Sequence, residues 1–261
     1  MKYKTLSIIS LSIVALTFQV DSLFSKNTFS TVNVSSDKTE KKRNISKAKT
    51  VPTIDGKNED ACWGELEWSA LDQRWLGEEY SIKDFSGRYK LTWDEDALYL
   101  LVQIIDDELV DQHPDPFESW WDDDCVEIFI DADNSGGDHL HNHNAFAYHV
   151  GLDNNVVDLS TEKMPILFNE HVETKYVTQG STTIWEHKIY LFDEATYNEG
   201  STENTPLKLK ANQEVGFALA YCDNDGSEER ENFIGSVFVP GKDKNQGYKT
   251  ADIFETIVLT E

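Results

Sequence analysis

From Val51 onward the chain is written in short runs of β-branched and aromatic residues, each closed by turn residues about every 8 to 20 positions, with no convincing stretch of helical period. A chain patterned this way buries its apolar residues by stacking one sheet on another or by closing a sheet on itself. RYKLTW (88–93), the Asp-rich turn WDEDA and ALYLLVQI (97–104) predict a hairpin. Further strands are predicted at 125–131, 145–152, 171–178, 182–191, 215–222 and 254–259. No internal repeat is visible, which argues against propellers and solenoids, and no linker interrupts the middle of the chain. The expectation is an all-β, antiparallel β-sandwich in a single domain.

The sandwich is expected over 51–261. Ahead of it, Lys2 and Lys4 precede an apolar run from Leu6 to Val20, so residues 1–22 read as an export signal, or as an N-terminal anchor if uncleaved, since no Ala-x-Ala follows. Residues 23–50, rich in Ser, Thr, Asn and Lys, are predicted to be a flexible linker. The chain is thus expected to be exported, to the periplasm, the cell surface or the extracellular space. Its 48 acidic and 23 basic residues give a net charge of −25, which disfavours nucleic acid, anionic membranes and polyanions as partners. Neutral or cationic ligands and metal ions remain. The three cysteines, Cys62, Cys125 and Cys222, permit at most one disulfide; each has apolar neighbours and reads as a small buried hydrophobe, with one bridge as the alternative.

The most informative stretch is ESWWDDDCVEIFID (118–131), where two Trp precede three Asp and an apolar strand. An exposed indole offers a flat face to the C–H face of a pyranose, and carboxylates accept hydrogen bonds from sugar hydroxyls. One Trp of the pair is expected to pack and the other to stay out. In the strand, Val126, Ile128 and Ile130 share one face, so Glu127 points to the other.

The order IDGKNEDACW, LTWDEDALYLLVQIIDDEL, WDDDCVEIFID, IWEHKIYL and GFALAYCDNDGSEERENFIG resembles the family 9 carbohydrate-binding modules, from about Val51 to Leu259. The resemblance implies a jelly-roll-like sandwich with structural calcium that binds glucose- or xylose-type sugars and chain ends between two aromatic rings. It implies that Trp121 is the first of these rings and that Tyr248, six residues before Phe254, takes the place of the second. By the same resemblance Glu127 accepts from sugar hydroxyls and Arg230 donates to the ligand. Three positions depart from the family: Ala220 stands for a Gln, Gly151 for an Asn and Ser236 for a Trp. The implied function is non-catalytic binding of mono-, oligo- or polysaccharide in support of polysaccharide degradation, with a glycoside hydrolase as a possible partner.

Other constellations stand beside this one. Asp131, Asp133, Asn134 and Asp138 bring oxygen ligands close together in one turn, as calcium requires. His139, His141 and His143 alternate, so an extended backbone would aim all three imidazoles one way, as a transition metal needs. Met164 with His149 or His171 would supply axial ligands in the alternative reading, a haem b-binding electron-transfer domain of a related sandwich. A protein-adhesive module is a further alternative. No nucleophile, zinc-protease or phosphate-loop motif is found, and the chain is expected not to be an enzyme.

Overall fold

The structure is a computed structural model that describes residues 42–261. The strands are β1 (Arg43–Ser46), β2 (Ser69–Leu71), β3 (Gln73–Leu76), β4 (Phe85–Trp93), β5 (Leu98–Asp106), β6 (Cys125–Asp131) and β7 (Phe146–Gly151). They continue with β8 (Val156–Leu159), β9 (Pro165–Leu167), β10 (Val172–Gln179), β11 (Thr182–Ile189), β12 (Glu214–Asp223), β13 (Asn232–Gly235) and β14 (Glu255–Thr260). One sheet runs β1-β14-β12-β6-β7-β8-β9, with β13 also on β12 and β3 on β13; the other runs β10-β11-β5-β4-β2. Every pairing is antiparallel except that of β1 with β14. The expected two-sheet sandwich is what forms, and the predicted hairpin is the β4–β5 pair.

Strand parity decides what each face buries. On β6, Val126, Ile128 and Ile130 enter the main core between the sheets with Leu219 and Tyr221 of β12 and Leu100, Val102 and Ile104 of β5. The alternate residues Cys125 and Phe129 leave that core for a second cluster on the outer face of the large sheet, with Ala147, Ala218, Ala220 and Cys222. This second face is covered by Trp75, Phe233, Val239 and Phe254, and the candidate site is built here.

The outer face of the small sheet is closed by the IDGKNEDACW segment. Glu186 of β11 is fully buried there, and its Oε2 accepts the backbone N–H groups of Asp55, Gly56 and Lys57 at 2.9, 2.9 and 3.2 Å. Its Oε1 accepts Trp63 Nε1 at 2.8 Å. Four donors on one carboxylate offset its burial. Gly56 makes the turn possible: its φ is 79°, and a Cβ would stand 2.7 Å from the backbone of Tyr176.

The predicted linker needs correction at its end. Residues 43–46 are β1, Ile45 is buried in the main core, and Arg43 pairs with Glu255 at 2.5 Å while lying 5.1 Å from the Tyr89 ring centroid. The sequence RNIS holds one apolar residue in four, too few to show alternation; the strand exists because β14 offers it an edge. The predicted signal and the rest of the linker, to residue 41, lie outside the described residues.

Candidate functional site

Glu127 rises from β6 among the small side chains of the outer face and is 2 % exposed. Its register partners are His149 on β7 and Ala220 on β12. Directly opposed side chains meet, and His149 Nε2 lies 3.2 Å from Glu127 Oε1. The other ring nitrogen, Nδ1, donates to Ala147 O at 3.1 Å. Oxygen atoms therefore face both ring nitrogens, an arrangement that favours the doubly protonated imidazolium. Burial opposes that charge, but Glu127 beside it outweighs the burial and holds the pKa above the ordinary histidine value. Glu127 Oε2 is buried and has no hydrogen-bond partner.

The three Asp after the Trp pair turn out to be hooks. Asp124 accepts from Val110 N at 2.6 Å and Asn224 N at 3.0 Å. Asp123 accepts from Gln112 N and His113 N, both at 2.8 Å, and Asp122 accepts from Arg230 N at 3.3 Å. All three are buried. The expectation that these carboxylates wait for sugar hydroxyls is therefore corrected: they pin two loops to the start of β6. The Trp pair behaves as expected, Trp121 being 39 % exposed. Trp120 packs edge-on against it, with centroids 4.5 Å apart, and edge-on against His149.

Arg230 is fixed by its backbone bond to Asp122. Its guanidinium carbon lies 4.1 Å from the Phe233 ring centroid, and Nη1 donates to Cys222 Sγ at 3.0 Å. Tyr248 is carried by a segment clamped through its backbone: His139 Nε2 meets Gly247 O at 2.8 Å, and His139 N donates to Lys249 O at 2.9 Å. Gly247 lies so close to Phe129 that a Cβ would stand 2.7 Å from its ring.

These residues enclose a cavity of about 380 Å³. The four residues that sequence assigned to a ligand, Trp121, Glu127, Arg230 and Tyr248, all line it. Sequence reasoning missed Trp120, His149, Asp158 and Asn245, which line it too. Asp158, on β8, accepts from Ala147 N at 2.8 Å and Leu159 N at 2.7 Å. Burial pushes its pKa up to about 7 against those bonds. The cavity thus joins aromatic surface to an unused carboxylate oxygen and a guanidinium, a combination suited to an uncharged, hydroxyl-rich molecule.

The model of the family described as "Carbohydrate family 9 binding domain-like" matches residues 54–261. The chain belongs to this family. Two solved structures of a family 9 carbohydrate-binding module from Caldicellulosiruptor kristjanssonii show the same fold. One, in complex with glucose, is 20 % identical, with a TM-score of 0.59 over 84 % of this chain and 96 % of that one. The other, in complex with cellotriose, is also 20 % identical, with a TM-score of 0.60 over 84 % of this chain and 94 % of that one. No curated protein sequence matches the chain.

The three positions read from sequence as departures from the family pattern take part in the sheet's own structure. Ser236 Oγ accepts Leu219 N at 2.9 Å and Ser236 N donates to Leu219 O, which ties the turn after β13 back to β12. Ala220 is fully buried opposite Glu127, and Gly151 pairs with Cys125.

The predicted histidine triad is dispersed. His139 serves Gly247, while His143 Nε2 lies 3.0 Å from Glu199 Oε2 and stacks on Phe146; His141 is bonded to neither. The three imidazoles therefore share no common point, because the segment turns where an extended backbone was expected. Met164 sits on an exposed turn; His149 lines the cavity just described, and His171 lines a different one and bonds Tyr148. In the predicted calcium turn, Asp131 Oδ2 accepts Gly136 N at 2.7 Å, Asp133 accepts Ser135 N at 3.0 Å and Asn134 accepts the Thr256 hydroxyl at 3.3 Å. Asp138 Oδ1 accepts Leu140 N at 3.3 Å. Those oxygens build the turn, and Asp131 Oδ1 is buried without a partner.

A tighter acidic group lies elsewhere. Asp106, Asp124 and Asp223, at the ends of β5 and β12 and just before β6, are buried with carboxylate oxygens within 4.8 Å of one another. Burial, joined by repulsion from neighbouring carboxylates, pushes their pKa values up to about 7, 9 and 8.

Proposed function

We propose that this family 9 domain is a non-catalytic glycan-binding module that holds a sugar or chain end in the cavity between Trp121 and Tyr248. Glu127 accepts from the ligand's hydroxyls through Oε2, Arg230 donates to them, and His149 holds Glu127 in position. The observation that carries this reading is Glu127 Oε2, a buried carboxylate oxygen with no protein partner in a cavity walled by aromatic rings. Glucose and cellotriose, the ligands of the two related structures, are the first candidates. A place outside the cytoplasm, in support of polysaccharide breakdown, fits an N-terminus read as an export signal. Among the described residues no helix is long and apolar enough to cross a membrane.

Calcium, which the family resemblance implies, is assigned here to Asp106, Asp124 and Asp223. Their donor chemistry fits: all three offer hard oxygen atoms from buried carboxylates. A bound calcium ion would neutralise the group and fix the ends of the strands that carry the site.

Titration calorimetry with glucose, cellotriose and xylo-oligosaccharides tests the function. Binding is expected for the intact protein and is expected to fall at least about tenfold in Trp121→Ala or Tyr248→Ala, each removing a stacking face. Unchanged affinity in both variants, with the fold intact by circular dichroism, would overturn the assigned platform.

A further inference from the structure

Cys125 opens β6 and Cys222 lies one residue from the end of β12, and the register sets them directly opposite each other. Directly opposed residues of an antiparallel pair have Cα atoms about 4.5 or 5.5 Å apart, and both values fall within the roughly 4.4–6.8 Å that a disulfide spans. Parity aims both side chains at the same outer face, where they are 1 % and 0 % exposed and free. Cys62 belongs to another cluster, with Trp63, Tyr99 and Leu101 on the outer face of the small sheet. Two further features surround the pair. Cys125 borders a small cavity of about 30 Å³ shared with Trp120 and His149, and Arg230 Nη1 donates to Cys222 Sγ at 3.0 Å.

We propose that Cys125 and Cys222 form a reversible dithiol–disulfide site built into the sheet beneath the cavity, with Arg230 as the positioning residue that favours its reduced form. The partner oxidant is a disulfide of low molecular weight or of a dithiol oxidoreductase. With glutathione disulfide, one cysteine sulfur attacks a glutathione sulfur and expels one glutathione thiolate. The second cysteine then attacks the mixed disulfide and expels the other. Both cysteines lose their protons and one electron each, and two glutathione thiols result. Reversibility follows from the sheet. Opposed Cβ atoms sit about 4.5–5.5 Å apart, whereas a disulfide draws them to about 3.5–4.5 Å, so closure strains the pairing and eases reduction. Closure also takes the sulfur acceptor from Arg230, which shares its cavity with the unpartnered Oε2 of Glu127.

The test is equilibration of the full chain across glutathione redox mixtures, acid quenching, labelling of the remaining thiols and peptide mapping by mass spectrometry. The expected result is loss of two thiols in one step, a mass lower by about 2 Da, a peptide linking Cys125 to Cys222, and a free Cys62. Three free thiols at every mixture, or a bridge that includes Cys62 or joins two chains, would overturn the proposal. Cys125→Ser and Cys222→Ser should each abolish the transition. Arg230→Met removes the donor to sulfur and is expected to raise the midpoint [GSH]²/[GSSG] about tenfold in favour of the disulfide. Arg230→Lys, which keeps a donor, should return it toward the original value; an unmoved midpoint in folded Arg230→Met would remove Arg230 from the site. None of these readouts depends on a glycan being bound.

Discussion

His149 shows how much one residue can carry when its neighbours leave it no choice. Two oxygen partners, on Glu127 and the Ala147 carbonyl, favour its doubly protonated form, and its pKa lies above the unfolded value of about 6.5. A group with a raised folded pKa lends stability that is fully present below the unfolded pKa and is lost as pH rises through the folded one. Asp158, with its pKa raised to about 7, acts in the same direction between its unfolded value and that pH. The His149 share is isolated by comparison with His149→Gln. Urea unfolding between about pH 6 and 9 should show the intact protein losing more stability than the variant as pH rises. Parallel pH profiles would show that the imidazole stays neutral in the fold.

Among the elements, β1 tests how far the sandwich extends. Ile45 is 4 % exposed between the sheets, in a strand whose ladder partner is β14. Ile45→Ala should lower the unfolding free energy by about 2–4 kcal/mol in urea titration with little change in slope. A loss under about 0.5 kcal/mol would mean that the strand frays without consequence. The same element marks what a sequence can reveal. Long strands such as β4, β5, β6 and β12 announce themselves because one or both faces are buried over seven or more residues. Strands of three or four residues, β1, β2, β3, β8, β9 and β13, are set by an available neighbour rather than by their own pattern. The site divides in the same way. Glu127 is legible from the parity of β6, and Trp121, Arg230 and Tyr248 from the family resemblance. His149 and Asp158 reach the cavity through pairing across β6, β7 and β8, a relation no single segment contains; a lone His amid the apolar run of β7 was the available signal. The DDD run was legible as unusual, but its use as three backbone hooks depends on loops 10 to 108 residues away.

For the molecule as a whole, a charge of −25 is the dominant long-range term. Self-repulsion of this size should be screened by salt, so the thermal midpoint is expected to rise by a few degrees between about 0.05 and 0.5 M NaCl. The proposed calcium site, at Asp106, Asp124 and Asp223, is expected to act on top of that. At constant ionic strength a chelator should lower the midpoint by several degrees and excess calcium should restore it, as expected for about 3 kcal/mol of linked binding. Asp124→Asn should remove the response to calcium but leave the response to NaCl. A midpoint indifferent to chelator would count against the assignment.

The alternation along β6 also bears on how the chain finds its pairing. A slip of one residue against β7 or β12 would drive Glu127 into the space between the sheets and turn Ile128 toward the cavity. An uncompensated carboxylate there costs several kcal/mol. The acid that faces the cavity in the finished protein is therefore also a registration mark during assembly, which penalises the misaligned sheet before any ligand can bind.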